Sequence, residues 1–207
     1  MSQYLEKATP KPVSGFVLAS SSPRRRELLN QLIEEFEVVS PKVDELLSHA
    51  GGPIFLVQEN ALIKAQCVAQ SFPSSWVLGS DTVVAMDNKV FGKPKDMKDA
   101  CGMLLSLSDR WHEVHTGICL IQKSSSKLLQ KVETSRVKFR ALTQTIIEEY
   151  FSKVDPLDKA GGYAIQTRSD LIIDCFEGSK SNVIGLPLEA LDSWFGNLGI
   201  SSGVGTP

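Results

Sequence analysis

The chain has 207 residues, 42% hydrophobic and 22% charged, with a formal net charge of −2 and a pI near 6.0. This is ordinary globular usage, ample for a sizeable core, and it excludes collagen-like, coiled-coil and largely disordered chains. It also excludes a global attraction to nucleic acid or anionic membrane, so any basic site has to be local.

Residues 1–14 form a polar, Pro- and Lys-containing lead without the apolar run of a secretory signal. No stretch approaches the roughly 18–20 apolar residues of a membrane helix. Cysteines 67, 101, 119 and 175 form no C-x-x-C pair, and a chain this long needs no staples, so reduced thiols in the cytoplasm are expected. Residues 16–20 read as a short apolar strand. Ser22-Pro23 opens a helix as N-cap and first helical residue, with Leu28, Leu29, Leu32 and Ile33 on one face. A strand over 36–40 and a long amphipathic helix over 54–72 follow. Residues 76–86 read as a strand, turning at Asp87-Asn88 into a short return strand through Phe91. A helix is expected over 96–107, two long strands over 112–122 and 128–142, and a helix over 143–153 capped by Thr143. Strands over 171–176 and 183–185 and a closing helix over 187–198 complete the pattern. The result is an α/β chain with a mixed sheet, because the hairpins demand antiparallel pairs. The expected organisation is a lead (1–14), one domain (15–198) and a small, polar tail (199–207) without fixed structure.

Ser20-Ser21-Ser22-Pro23-Arg24-Arg25-Arg26 places three arginines at the start of a predicted helix. Arginine there opposes the macrodipole, and adjacent arginines repel, so an anion is the natural partner. Serine hydroxyls, free N–H groups and guanidinium forks suit phosphate. A solvated basic helix end is the other reading. Gly79-Ser80-Asp81-Thr82 follows an apolar strand, and Val83-Val84 comes next. An acid so placed needs a partner. Asp81 suits a metal, a proton from water, or a structural network. Asp44-Glu45 offers a second hard oxygen ligand or a surface loop. Lys93 and Lys95 flank Pro94 in a tight loop where a point charge meets either phosphate or solvent. Lys64, among apolar helix residues, either snorkels to water or points into a cleft. His112 and His115 lie three apart in a strand, on opposite faces, and cannot share a metal. No zinc ligand set, Walker loop or G-x-G-x-x-G is present. Cys175 reads as a buried structural thiol.

Five ordered motifs then act together: Leu18-Ala19-Ser20-Ser21-Ser22-Pro23-Arg24-Arg25, Gly79-Ser80-Asp81-Thr82-Val83-Val84, Gly92-Lys93-Pro94, the run from Asp155 to Gln166, and Asn182-Val183-Ile184-Gly185-Leu186-Pro187. They resemble the Maf family of nucleoside triphosphate pyrophosphatases over nearly the whole domain. The resemblance implies a two-lobed α/β fold with a central cleft, similar to that of the inosine triphosphate pyrophosphatases. It implies hydrolysis of a nucleoside triphosphate to monophosphate and pyrophosphate with Mg²⁺ or Mn²⁺. Asp81 matches the proposed general base, and Glu45 lies with Asp81 at the metal site. Ser20, Arg24, Lys64 and Lys93 match the triphosphate site. Arg25, Thr82 and Gln166 match the positions that set the subgroup, and are similar to those of dTTP/UTP-hydrolysing members. Two departures stand out: Arg26 replaces another polar residue, and Gln166-Thr167-Arg168-Ser169 replaces a glycine-rich turn. Other readings are a non-catalytic nucleotide-binding regulator of cell division and the same reaction on a purine or modified nucleotide. The expected partner is the triphosphate, not nucleic acid or membrane, and a homodimer is compatible with it.

Overall fold

The computed structural model describes residues 15–87 and 89–200. The expected lead 1–14 and residues 201–207 of the expected tail lie outside the described residues. Three parallel strands open the sheet. β1 (Phe16–Ala19) lies between β2 (Glu37–Val39) and β3 (Trp76–Met86) and pairs with both. Every residue of β1 is buried, which is why it reads as an unbroken apolar run. The chain leaves β1 for β2 through α1 (Pro23–Leu29) and returns to its other side through α2 (Pro53–Ala69). Such a reversal of strand order leaves a crevice at the carboxyl ends of the strands.

The rest of the sheet is antiparallel. β4 (Lys89–Phe91) pairs with the far end of β3, and β5 (Trp111–Gln122), β6 (Lys127–Phe139) and β7 (Ile173–Glu177) extend it in the order β2-β1-β3-β5-β6-β7. The remaining helices are α3 (Met97–Leu107), α4 (Gln144–Phe151), α5 (Ser169–Ile172), α6 (Lys180–Ile184) and α7 (Leu188–Leu198).

The long strands β3, β5 and β6 serve separate cores along their length. At one end, Leu18, Leu78, Ile118 and Leu120 pack under α1 and α7 with Leu29, Leu191 and Phe195. Their sequence neighbours Val17, Val77, Cys119 and Ile121 face the opposite way, under Ala61, Ala65 and Val68 of α2, as the two-residue strand period requires. At the other end, Val84, Val114, Val137 and Phe139 pack with Leu104, Leu107, Ile147 and Tyr150 of α3 and α4. The strands pass from one packed region to the other at Asp81 and Thr82.

Two glycines seat α2 on the sheet. A Cβ on Gly79 would lie 2.3 Å from the Ala61 carbonyl oxygen, and one on Gly117 would lie 2.3 Å from that of Val57. Gly117 is the cross-strand partner of Asp81, and Gly79 lies two residues before it on the same face. Side chains at both places would lift the helix away from Asp81.

Most expected elements are present, with five corrections. Residues 171 and 172, expected to open a strand, instead end the short helix α5, and β7 begins at Ile173. Residues 183–185 belong to a helix and its cap, not to a strand: Ser179 accepts from the Asn182 N–H at 3.2 Å, and Gly185 ends α6 at φ 125°. A short apolar run does not by itself separate helix from strand. α1 is shorter than its apolar pattern and ends in a turn at Asn30, although Leu32 and Ile33 still pack into the core. Leu142 is buried in the loop after β6 rather than in that strand. Cys175 is exposed, because β7 is an edge strand with one neighbour and little packed over it. Gly199 caps α7 in the left-handed region, and the Ile200 N–H reaches back to the Phe195 carbonyl at 3.0 Å.

His112 and His115 point to opposite faces of β5, as the alternation requires. His115 Nδ1 meets the Thr134 hydroxyl at 2.8 Å, and His112 Nε2 meets the Tyr163 hydroxyl at 2.8 Å. Burial pushes the His112 imidazole down to about 4, opposed by the Arg110 backbone. An unfolded His112 takes up its proton near pH 6.5 while the folded one refuses it until about pH 4. Stability should therefore fall by roughly 3 kcal/mol as pH drops through that window, with no contribution above it. Urea unfolding from pH 7.5 to 4 checks this, with the loss attenuated in His112→Gln relative to the parent. For the glycine seat, Gly117→Ala should cost about 1–3 kcal/mol by overpacking. Gly102→Ala, inside α3 with open space at its Cβ position, should be neutral or stabilise by up to about 1 kcal/mol. Equal unfolding midpoints for the two variants would contradict the seat.

Candidate functional site

A cleft of about 580 Å³ opens at the carboxyl ends of β1 and β2, against the middle of β3. All nine residues singled out in the sequence, Ser20, Arg24, Arg25, Glu45, Lys64, Asp81, Thr82, Lys93 and Gln166, line it. They come from six separate segments of chain.

β3 supplies the floor. Asp81 is buried in mid-strand, where an isolated carboxylate is costly. Its compensation comes from α2. Lys64 Nζ lies 2.7 Å from Asp81 Oδ1, and the Asn60 amide donates to Oδ2 at 3.1 Å. Asn60 and Lys64 are one helical turn apart and share the face that the glycine seat presses onto β3. Lys64 is 5% exposed, so it points into the cleft and does not snorkel. The same ammonium reaches Glu45 Oε2 at 2.9 Å, from the exposed loop between β2 and α2. One cation thus bridges the two carboxylates, whose oxygens are of the kind that would hold a hard divalent cation. The expected Mg²⁺ or Mn²⁺ fits Glu45 and Asp81. Among the described residues no third His, Cys, Asp or Glu joins them, so further oxygens have to come from outside the protein.

The three arginines do not form a common cluster. Ser22 caps α1 as expected, with Pro23 in its first turn. Arg24 crosses the cleft and pairs with Asp158, 2.5 Å to its carboxylate and 3.1 Å to its backbone carbonyl. Arg25 turns inward, donating from Nε to the Gly185 carbonyl at 2.8 Å and from Nη2 to Thr82 Oγ1 at 2.9 Å. Burial lowers its guanidinium from the ordinary value, and the nearby Asp81 and Glu45 carboxylates oppose that. Arg26 is exposed on the last turn of α1. Thr82 passes its own hydrogen to Thr116 at 3.0 Å, and Thr116 donates to the Asn182 carbonyl at 3.0 Å. Arg25 and Thr82 are therefore committed to each other and to the wall. Ser20 is buried, and its hydroxyl accepts from the Ser22 N–H at 3.1 Å.

The opposite wall is the run from Asp158 to Gln166. Tyr150 of α4 holds it: its hydroxyl donates to the Ala164 carbonyl at 3.1 Å and accepts from the Ala164 N–H at 2.9 Å. Gly161, at φ 70°, packs against Val84 and donates to the Gly92 carbonyl at 2.9 Å, which ties the Lys93 loop to the same wall. Gln166 ends the run exposed, and its amide makes no hydrogen bond among the described residues. In Gln166-Thr167-Arg168-Ser169, which was read as departing from a glycine-rich turn, Arg168 adopts φ 47° itself. Its side chain pairs with Glu149 at 3.2 Å and Asp170 at 3.3 Å. Asn60 and Asp158 were not among the expected site residues. The legible sign for Asn60 was its spacing from Lys64 on an otherwise apolar helix. Asp158 lay within the Asp155–Gln166 motif, but its pairing with Arg24, 134 residues away, was not legible.

The family model for Maf-like protein matches residues 15–198. The chain belongs to the Maf family. A relative from Dictyoglomus turgidum, named dTTP/UTP pyrophosphatase, is 41% identical over 186 residues, 89% of this chain and 96% of the relative. Relatives of the same name from Bacillus cytotoxicus (42% over 176 residues) and Symbiobacterium thermophilum (45% over 172 residues) cover 91% and 88% of their own lengths, and 85% and 83% of this chain. The Maf match spans every segment that contributes to the cleft. None of the helices among the described residues of this Maf protein is long and apolar enough to cross a membrane.

Removing Lys64 would leave a buried carboxylate without its cation. Lys64→Met should destabilise the fold by about 3–5 kcal/mol. Adding Asp81→Asn to Lys64→Met should restore part of that loss, since the unpaired charge goes with it. A double-mutant cycle by urea unfolding measures the coupling, and simple additivity would contradict the pair.

Proposed function

We propose that the cleft hydrolyses dTTP and UTP to the nucleoside monophosphate and pyrophosphate. The observation that carries this reading is the Glu45–Lys64–Asp81 array: two carboxylates and a cation in one cleft with further cations at its rim. A module that only binds a nucleotide needs no buried carboxylate beside the phosphates. The names of the relatives support the choice of substrate.

In this reading Asp81 orients a water and takes its proton as the water oxygen attacks the α-phosphorus. The bridging oxygen between the α- and β-phosphorus leaves with pyrophosphate. Glu45 and Asp81 would hold Mg²⁺ or Mn²⁺, which when bound supplies Lewis-acid polarisation and a water of lowered pKa. Arg24, Lys64 and Lys93 bind the triphosphate and neutralise charge on the departing pyrophosphate, with Ser20 as a hydroxyl partner. Arg24 reaches the phosphates by exchanging its Asp158 partner for them. Arg25 and Thr82 act on selectivity by fixing the wall. Base reading falls on Gln166, whose free amide can donate to a carbonyl and accept from the ring N–H of a 2,4-dione edge.

Pyrophosphate release measured across dTTP, UTP, CTP, ATP and GTP is the deciding experiment. The parent should favour dTTP and UTP in kcat/KM. Asp81→Asn should lose about 10²–10⁴-fold in kcat while keeping the fold. Gln166→Glu should erode selectivity by roughly 1–3 kcal/mol per unpaired group, because a carboxylate cannot donate to a base carbonyl. A parent that prefers purines would refute the base reading, and a fully active Asp81→Asn would refute the catalytic one.

A further inference from the structure

The loop that carries Glu45 is weakly held. Residues 44–51 are all exposed, and Leu47 is 90% exposed. Among the described residues, the backbone of residues 44–48 makes two hydrogen bonds, and both go to one side chain. Asn60 Oδ1 accepts from the Leu46 N–H at 2.8 Å, and Asn60 Nδ2 donates to the Leu46 carbonyl at 3.0 Å. The second hydrogen of the same Nδ2 goes to Asp81 Oδ2 at 3.1 Å. Asn60 is itself 2% exposed.

These three contacts admit one orientation of the amide. Turning it over would set the side-chain oxygen against both the Asp81 carboxylate and the Leu46 carbonyl, two acceptor–acceptor contacts. Leu46 is paired through both of its backbone groups, as a strand residue would be by a neighbouring strand. Glu45 adjoins it in the chain. Its own contact with the protein, the Lys64 ammonium, is a half-exposed ion pair that does little to fix a loop.

We infer that Asn60 is a positioning residue that ties the Glu45 loop to Asp81 and so sets the separation of the two carboxylates. This rests on the catalytic reading above. Asn60 touches neither phosphate nor base in that scheme and acts through its neighbours. Its rigidity comes from α2, whose glycine seat fixes the helix on β3, so the loop inherits its placement from the sheet.

The test uses the whole chain with Asn60→Ala and the isosteric Asn60→Asp. Hydrogen exchange at the Leu46 amide reads the tie directly. In the parent this amide should be protected although its residue is exposed, and in Asn60→Ala it should exchange at least tenfold faster while β3 and β5 stay protected. Asn60→Asp keeps an acceptor for the Leu46 N–H but has no hydrogen for Asp81. With dTTP, kcat should fall about 10–100-fold in both variants, as for other outer partners of ligating side chains, with KM within threefold of the parent. A kcat within twofold of the parent in either folded variant overturns the inference. So does a lowered melting temperature with unchanged Leu46 exchange, which would make Asn60 merely structural. If neither variant folds, the parent decides alone: an unprotected Leu46 amide overturns the tie. A parent that releases no pyrophosphate refutes the catalytic reading instead, and Leu46 exchange still decides whether Asn60 holds the loop.

Discussion

The buried ion pair between Lys64 and Asp81 is the interaction on which the rest of the cleft depends. Neither charge would be tolerated alone at that depth, and the pair exists because a helix backbone lies directly on the sheet. Gly79 and Gly117 permit that approach, and a methyl group at either would collide with a carbonyl of α2. A close helix seat, a compensated carboxylate and a cation within reach of a second carboxylate are thus one structural fact. Such a pair is weak evidence for stability, since an apolar replacement of the same volume is often as good. Its place in mid-strand makes sense where a charge is to be presented to a cleft.

The positive groups divide their work by depth. Lys64 neutralises the floor, Arg25 braces the wall through Gly185 and Thr82, and Arg24 spans the opening to Asp158. Lys93 remains exposed at the rim. This distribution eases the repulsion among three adjacent arginines, because each has its own acceptor or its own solvent, although the Arg24 charge still helps to lower the Arg25 guanidinium from its ordinary value. It also separates a fixed set of contacts from an exchangeable one. The Arg25–Thr82–Thr116 chain is donor-matched from end to end and lies against α6, whereas the Arg24–Asp158 pair is surface-accessible and open to competition by another anion.

The two walls answer to different cores. The arginine side rests on the packing of α1 and α7 under β1 and β3, and the Gln166 side rests on α4 through Tyr150 and on the packing of Gly161 against Val84. The long strands connect the two, so the width of the cleft follows from the geometry of one continuous sheet. Asn60 extends that logic to the Glu45 loop, the least anchored part of the rim.

Periodicity and turn chemistry determined much of this from sequence alone. The apolar run of β1, the Ser22-Pro23 helix start, the Thr143 cap and the β5–β6 hairpin are local patterns, and local energetics decides them. All nine expected site residues line one cleft: Ser20 follows the end of β1, whereas Asp81 and Thr82 lie in mid-strand and Lys64 lies within α2, which the glycine seat presses onto β3. Tertiary structure alone decided what depends on distant neighbours. Val183 and Ile184 went to a helix because Ser179 caps it and Asn182 is wanted in the core, and Cys175 was left exposed because β7 is the sheet edge. The fates of Arg24, Arg25 and Lys64 were set by Asp158, Gly185 and Asp81, partners far away in the chain. Residue type and spacing determine which groups are available for chemistry, but the pairing of buried charges follows desolvation, which only the folded packing defines.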